Sequence, residues 1–196
     1  MGAHRARPDE LPALATTLAG AFHDDPVWSW VLPDPVVRPR QLAAVWTVLL
    51  EAAVDYDWTW SAPGAAAATV WIPPGRSELP EPHEARLVAL VQELLGPDTG
   101  RIDALGTHFE QAHPTEPDHY YLSLFGTHPD HRGRGIGMDL LIDNLALVDA
   151  EHRPAYLEST NPANLDRYRS VGFEDASVFA LADGGPVVTT MWRRAR

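Results

Sequence analysis

Between residues 119 and 192 short apolar runs of strand character alternate with helical ones, and this alternation constrains the fold more than any other feature. Residues 119–125 read as a strand. A glycine-rich turn leads from it into a helix with Met138, Leu141, Ile142, Leu145 and Val148 on one side. Residues 155–159 form a further strand and residues 163–171 a further helix. Residues 173–181 and 187–192 then close as a hairpin around Asp183-Gly184-Gly185-Pro186. Strands interleaved with helices and ending in a hairpin imply a mixed α/β sheet.

The first half is looser. Residues 3–7 have the composition of a weak first strand, and Asp9 is placed to N-cap a helix carrying Leu11, Leu14, Ala15, Leu18, Ala19 and Phe22 at helical spacing. Residues 27–32 form a buried turn or short helix. Residues 38–55 form an amphipathic helix with Leu42, Val45, Trp46, Leu49 and Leu50 on one face. Two strands follow, at 58–60 and 67–72, around the Pro63-Gly64 turn, and Pro73-Pro74-Gly75 stops the second. Residues 76–117 hold two helices, at 83–95 and 100–112. No internal repeat or interdomain linker interrupts the chain, which reads as a single domain over 1–196.

Composition removes whole classes of chemistry. With 45% hydrophobic and 21% charged residues, the chain is that of an ordinary globular protein. A net charge of −12 argues against a general nucleic-acid binder and favours a neutral or cationic partner. All 15 basic residues are Arg, so a lysine-dependent phosphate loop or Schiff base is excluded. The lack of cysteine excludes thiolate nucleophiles, disulfides and Cys-ligated metals. Residues 1–8 lack the apolar run of a secretory signal, and no segment approaches the ~20 apolar residues of a membrane span, so a cytoplasmic protein without membrane partners is expected. The histidines show no metal-ligand spacing: His128 and His131 are three apart but lie in the turn.

The turn Thr127-His128-Pro129-Asp130-His131-Arg132-Gly133-Arg134-Gly135-Ile136-Gly137-Met138 carries the chemistry. It lies between a strand and a helix, and a helix start leaves N–H groups unpaired and carries partial positive charge. Glycines at 133, 135 and 137 let the backbone close on an anion, and Arg132 and Arg134 flank it. A pyrophosphate fits this description. The dinucleotide fingerprint G-x-G-x-x-G does not occur at this turn, which reads Gly133-x-Gly135-x-Gly137. Arg167 and Arg169 are further candidates to offset a polyanion's charge.

Leu122-Ser123-Leu124-Phe125 followed by this turn resembles the central motif of the GNAT acetyltransferases, [RQ]-x-x-G-x-[GA] after a strand. Tyr156-Leu157-Glu158-Ser159 with Asn164, Tyr168 and Gly172-Phe173 is similar to the same family's next strand and its Asn-x-x-x-Tyr-x-x-x-Gly-Phe segment. The clear match covers residues 118–174. Asp25-Pro26-Val27-Trp28, Trp71-Ile72-Pro73-Pro74-Gly75 and Met191-Trp192-Arg193 resemble the branch that contains puromycin N-acetyltransferase-like resistance enzymes.

The resemblance implies a GNAT-like fold, a mostly antiparallel mixed sheet with splayed central strands flanked by helices. Residues 118–174 would be the acetyl-CoA-binding core and the N-terminal half the acceptor side. Phe125 and Thr127 would pair with pantetheine through main chain. An amide near Leu124 or Phe125 would bond the thioester carbonyl. Arg132, Gly133, Arg134, Gly135, Gly137 and Met138 would hold the pyrophosphate, and Asn164 would bond acetyl-CoA or cap its helix. Tyr168 would protonate the leaving thiolate, a transfer between groups of ordinary pKa about 10 and about 8.5.

The general base stays open at this level. Glu158, in an otherwise apolar strand, reads as a base, a substrate-ammonium anchor or an edge-strand surface residue. His119 and Tyr121 alternate on one strand face where relatives keep a base, and Tyr121 replaces a Glu found in some of them. Of seven tryptophans, Trp28, Trp30, Trp46, Trp58, Trp60 and Trp71 fall in the first half; most read as core, and Trp28 as a pocket residue for an amine. Asp24 and Asp25 are candidates for an acidic pocket edge. The expected activity is direct acetyl transfer from acetyl-CoA, without a metal, to a primary amine of a small molecule, an antibiotic or toxin-like one on the puromycin-enzyme resemblance. The alternatives are acetylation of a protein Lys or N-terminus, and a non-catalytic acyl-CoA sensor. A homodimer is compatible with the sequence.

Overall fold

The computed structural model describes residues 2–182 and 184–196; Met1 and Asp183, which heads the expected terminal turn, lie outside the described residues. The strands are β1 (His4–Arg5), β2 (Thr59–Ser61), β3 (Ala67–Ile72), β4 (Tyr120–Thr127), β5 (Ala155–Ser159), β6 (Glu174–Ala180) and β7 (Val187–Arg193). The helices are α1 (Leu11–Ala21), α2 (Pro26–Val31), α3 (Arg38–Ala53), α4 (Glu81–Leu95), α5 (Gly100–Ala112), α6 (Ile136–Ala150) and α7 (Leu165–Ser170). The sheet order is β1-β2-β3-β4-β5-β7-β6. Every neighbouring pair is antiparallel except β4 and β5. The expected α/β class and mostly antiparallel mixed sheet are both observed.

A helix layer covers each face of the sheet, which is why β3 is buried at every position. On one face Leu14 and Leu18 of α1 and Leu42 and Trp46 of α3 pack on Val70, Leu124 and Tyr156. On the other, Leu141, Leu145 and Val148 of α6 pack on Trp71, Leu122 and Leu157. Full burial of each such Leu stabilises the fold by about 1.5–3 kcal/mol. Asn144 is buried within the α6 layer; its side-chain oxygen accepts from Thr69 Oγ1 at 2.5 Å and Trp71 Nε1 at 3.1 Å, tying α6 to β3.

Three local expectations are corrected. Asp9 is not an N-cap: a 3-10 turn (Pro8–Glu10) precedes α1, and Asp9 instead accepts from Arg7 Nε at 3.2 Å. Ile142 points outward, 50% exposed, because Leu140 and Asn144 share the buried stripe of α6 instead. The strand expected to end at Phe125 continues to Thr127.

The inserted segment closes one side. α4 packs on α3, and α5 meets α2. Asp25 caps α2, its Oδ1 accepting from the Val27 and Trp28 N–H groups at 3.0 and 3.3 Å. Buried Arg38 gathers the carbonyls of His23, Leu32 and Pro33 at 2.7, 2.6 and 3.0 Å, locking the α2–α3 connection. No helix among the described residues is long and apolar enough to cross a membrane.

Candidate active site

The site begins where the two central strands part. β4 and β5 pair only at Tyr120–Ala155 and Tyr121–Tyr156. Beyond that point β4 stays on β3 as far as Thr127, and among the described residues its β5-facing edge has no strand partner. A β-bulge lies at the parting: Val70 faces Leu124 while Trp71 faces Leu122, so Ser123 is the extra residue. His128 N–H donates to Ala66 O at 2.9 Å. Antiparallel alternation then turns the main chains of Leu124 and Gly126 toward β3 and those of Phe125 and Thr127 toward the open edge. Phe125 therefore turns its main-chain groups to the open edge. Leu124 does not; its side chain belongs to the core.

The open edge of β4 leads directly to the glycine turn. Gly135, at φ 79°, occupies the N-cap of α6, a left-handed conformation that glycine adopts without a Cβ penalty. Among the described residues, no N–H from positions 133–138 donates to an acceptor within the fold. Six consecutive donors without an acceptor thus gather at the positive end of a helix, the kind of place that suits an anion. Gly137 seats the turn on β4: a Cβ there would collide with the Thr127 hydroxyl and lie 3.2 and 3.3 Å from Phe125 ring carbons.

Arginine side chains add less at rest than the sequence suggests. Arg132 donates to the Ala21 carbonyl at 3.0 Å, at the C-terminus of α1. Arg169 is held by Asp166 and Asp175, and Arg167 by Asn164. Arg134 is exposed on the turn and Met138 is half-buried. Asn164 does not cap α7 through its side chain; Asn161 caps the preceding turn, accepting from Ala163 N–H at 3.0 Å.

A cleft of about 1110 Å³ opens between the splayed strands, α2, α3 and the α4–α5 insertion. Tyr168, Glu158, His119, Tyr121, Trp28 and Asn164 all line it, with Leu124 and Phe125 at the strand edge. The tyrosine ring of Tyr168 is wedged edge-on between Phe125 and Phe173, with centroids 6.3 and 6.1 Å away. Burial, then the charge of Asp25, push its phenol above the usual range, so it holds its proton at neutral pH. Thr127, Arg132, Gly133, Arg134, Gly135, Gly137 and Met138 lie outside this cleft, at the mouth of the β4 edge.

Glu158 is the anomaly. Its side chain is 2% exposed, and neither carboxylate oxygen has a hydrogen-bond partner among the described residues. His113 Nδ1 stands 3.5 Å away, and the phenols of Tyr121 and Tyr156 are pushed upward by burial first and by the Glu158 charge second. A buried carboxylate is costly unless its neighbours or a ligand offset its charge. His119 donates from Nδ1 to Pro117 O at 2.9 Å, which leaves Nε2 as an acceptor; burial lowers its pKa and favours the neutral ring.

Two residues of the cluster carried no signal in the sequence. Glu78 reaches in from the loop after Gly75 and accepts from the Ser123 hydroxyl at the bulge. Burial raises its pKa, the Glu158 charge adds to this, and Ser123 and His113 oppose it. His113, at the end of α5, packs its ring on His119, Tyr121 and Tyr156. Both lie in the polar insertion, where no spacing pattern singles them out. Of the acidic pair expected at the pocket edge, Asp25 lines the cleft but Asp24 does not. Trp28 and Trp46 line it together, 4.6 Å apart and edge-on. Among the described residues, no group of three or more His, Asp or Glu could hold a metal ion.

No protein-family model matches the chain. Solved structures do. The histone acetyltransferase HPA2 and related acetyltransferase from Corynebacterium glutamicum is 22% identical with a TM-score of 0.69, covering 100% of this chain and 98% of that one. A polyamine N-acetyltransferase of Drosophila melanogaster, which forms N-acetylagmatine, is 16% identical with a TM-score of 0.66 and 98% coverage of both chains. Arylalkylamine N-acetyltransferase 2 from Aedes aegypti is 11% identical with a TM-score of 0.65, covering 99% and 98%. The fold of this chain is the GNAT acetyltransferase fold that these proteins share.

Proposed function

We propose that the protein is an acetyl-CoA-dependent N-acetyltransferase that modifies a primary amine of a small molecule by direct transfer. One observation carries this reading: six free N–H donors at the start of α6 are joined by the open β4 edge to a cleft holding Tyr168 and a buried Glu158 beside His113. The donors of residues 133–138, with Arg134 beside them, bind the diphosphate of the co-substrate. The Phe125 and Thr127 main chains hold its pantetheine arm, and a Phe125 main-chain donor meets the thioester oxygen as charge develops there.

The reaction is balanced by groups of the cleft. Glu158 or neutral His119 accepts the proton that the incoming ammonium must lose. The amine nitrogen then bonds to the thioester carbon and sheds its second proton to water, the C–S bond breaks, and the electron pair leaves on sulfur. Tyr168 donates a hydrogen bond to that sulfur. Its raised pKa widens the gap to a thiol of about 8.5, so it stabilises the departing thiolate, which takes its proton from water.

The whole chain serves as one transferase unit, with residues 118–174 as the acetyl-CoA core. The α4–α5 wall favours a small acceptor over an extended peptide, in keeping with the amines acted on by the agmatine, polyamine and arylalkylamine acetyltransferases of similar fold. An antibiotic or toxin-like amine, and a cytoplasmic setting, rest on the sequence reading. Thiol release from acetyl-CoA across a panel of amines tests the proposal: amine-dependent release is expected, and acetyl-CoA binding without release for any amine or peptide would make the protein a sensor.

A further inference from the structure

Forming an amide from an ammonium takes two protons from nitrogen. The first must leave before attack, and the second leaves once the new N–C bond has made the nitrogen acidic. His119 senses the Glu158 charge, so filling either group with the first proton makes the other a poorer acceptor for the second. A third group stands at the same place.

Glu78 enters the cleft from the loop after β3 and accepts from the Ser123 hydroxyl. Ser123 and Glu158 each stand two residues beyond Tyr121–Tyr156, the last pair before β4 and β5 part. The Tyr121 phenol senses both carboxylates, so both stand near it. Their surroundings differ. The Glu158 side chain is 2% exposed with His113 3.5 Å away, whereas Glu78 is half-buried in the cleft wall. At about 3.4 Å per residue, Ser123 lies about 7 Å along β4 from Phe125, whose main chain meets the thioester. A carboxylate bonded to Ser123 is therefore within a one-water bridge of the reacting carbon. Burial comes first in raising the Glu78 pKa and persists whichever neighbour is protonated; the Glu158 charge adds to it, and Ser123 and His113 oppose it. Glu84 of α4, Glu110 of α5 and Arg76 of the same loop line the cleft as well. A carboxylate raised in this way receives a proton more readily.

We infer that Glu78 receives the second proton of the acceptor nitrogen through the water that first takes it. The inference rests on the N-acetyltransferase reading and deepens it. One N–H bond breaks toward the water and one O–H bond forms on Glu78. Glu78 returns its proton to solvent after the thiolate has drawn its own from water.

Steady-state thiol release with the best amine of the panel tests it. Glu78→Gln keeps an acceptor for Ser123 and should lower kcat by about tenfold to hundredfold, with the Kd for CoA within about twofold. The acid limb of kcat/KM for the amine should lose the steepness of one proton, its slope falling from about 2 to about 1. Ser123→Ala keeps the carboxylate and removes the bond that holds its pKa down, so the acid limb should move to higher pH. Glu78→Gln within about threefold of wild type, with the limb unchanged, overturns the inference. Equal losses in both variants with the limb in place assign the pair to holding the bulge and overturn it as well. If Glu78→Gln fails to fold in thermal melts, Ser123→Ala decides alone: a limb moved upward supports the inference and a fixed limb overturns it. Wild-type protein that releases no thiol with any amine sinks the transferase reading and this inference together. Active wild type beside an indifferent Glu78→Gln sinks the inference only.

Discussion

Asp25 Oδ2 accepts a hydrogen bond from the Thr160 hydroxyl at 2.7 Å, joining positions 135 residues apart. Its other oxygen caps α2, so one buried carboxylate fixes α2 to the β5–α7 connection that positions Tyr168. Asp25→Ala removes both functions and should cost about 2–3 kcal/mol; Thr160→Val removes one hydrogen bond and should cost about 1 kcal/mol. Urea unfolding of the two single variants and the double variant gives the coupling, and additive effects would show that the bond is energetically idle.

Tyr168→Phe keeps the ring between Phe125 and Phe173 and deletes the hydroxyl. Turnover should fall by about tenfold to hundredfold while the Kd for CoA stays within about twofold. Because burial and Asp25 raise the phenol, loss of its proton in the wild type should appear only above pH ~10. An alkaline limb near pH 8 that disappears in the Phe variant would contradict this.

Gly137→Ala places a methyl group against the Thr127 hydroxyl and the Phe125 ring. The turn must shift, and acetyl-CoA affinity should drop by about tenfold or more, a loss of about 1.4 kcal/mol. Thr127→Ala in the same chain removes the nearest obstacle and should restore part of it. Calorimetry with thermal melts separates lost binding from lost folding; no recovery in the double variant would mean that crowding is not the cause.

Much of this was legible because short-range rules govern it. The glycine turn, the register of α6 at Leu141 and Leu145, and the approach of Tyr168 to the cleft follow from local spacing. The bulge at Ser123 is set by pairing with Trp71 and leaves no mark on local pattern. Glu78 and His113 enter the cleft from an insertion whose polar residues look like any solvated loop or helix end. Asp9 failed as a cap because the 3-10 turn at Pro8 moved the helix start one residue on, to Leu11. Arg132 was expected to face an anion, but the carbonyl end of α1, 111 residues earlier, is within its reach.

Arg193 and Asp149 form a bidentate pair at 2.6 and 2.7 Å, with Arg193 3% exposed and its Nε donating to Val171 O. Asp149→Asn should cost about 3 kcal/mol by leaving a buried guanidinium unpaired. The Arg193 hydrogen bonds hold the Asp149 pKa below its ordinary value, so the pair's stabilisation is full above the unfolded carboxylate value of about 3.9 and is lost as pH falls through the lower folded value. Unfolding free energies of wild type and variant should therefore converge toward low pH; a constant gap would contradict the assignment.

The most direct test of the central claim is an amide NMR titration of the labelled protein with CoA. The N–H signals of Gly133, Arg134, Gly135, Ile136, Gly137 and Met138 should shift together, with Phe125 and Thr127 following. CoA that fails to bind, or that binds while these six signals stay still, contradicts the account.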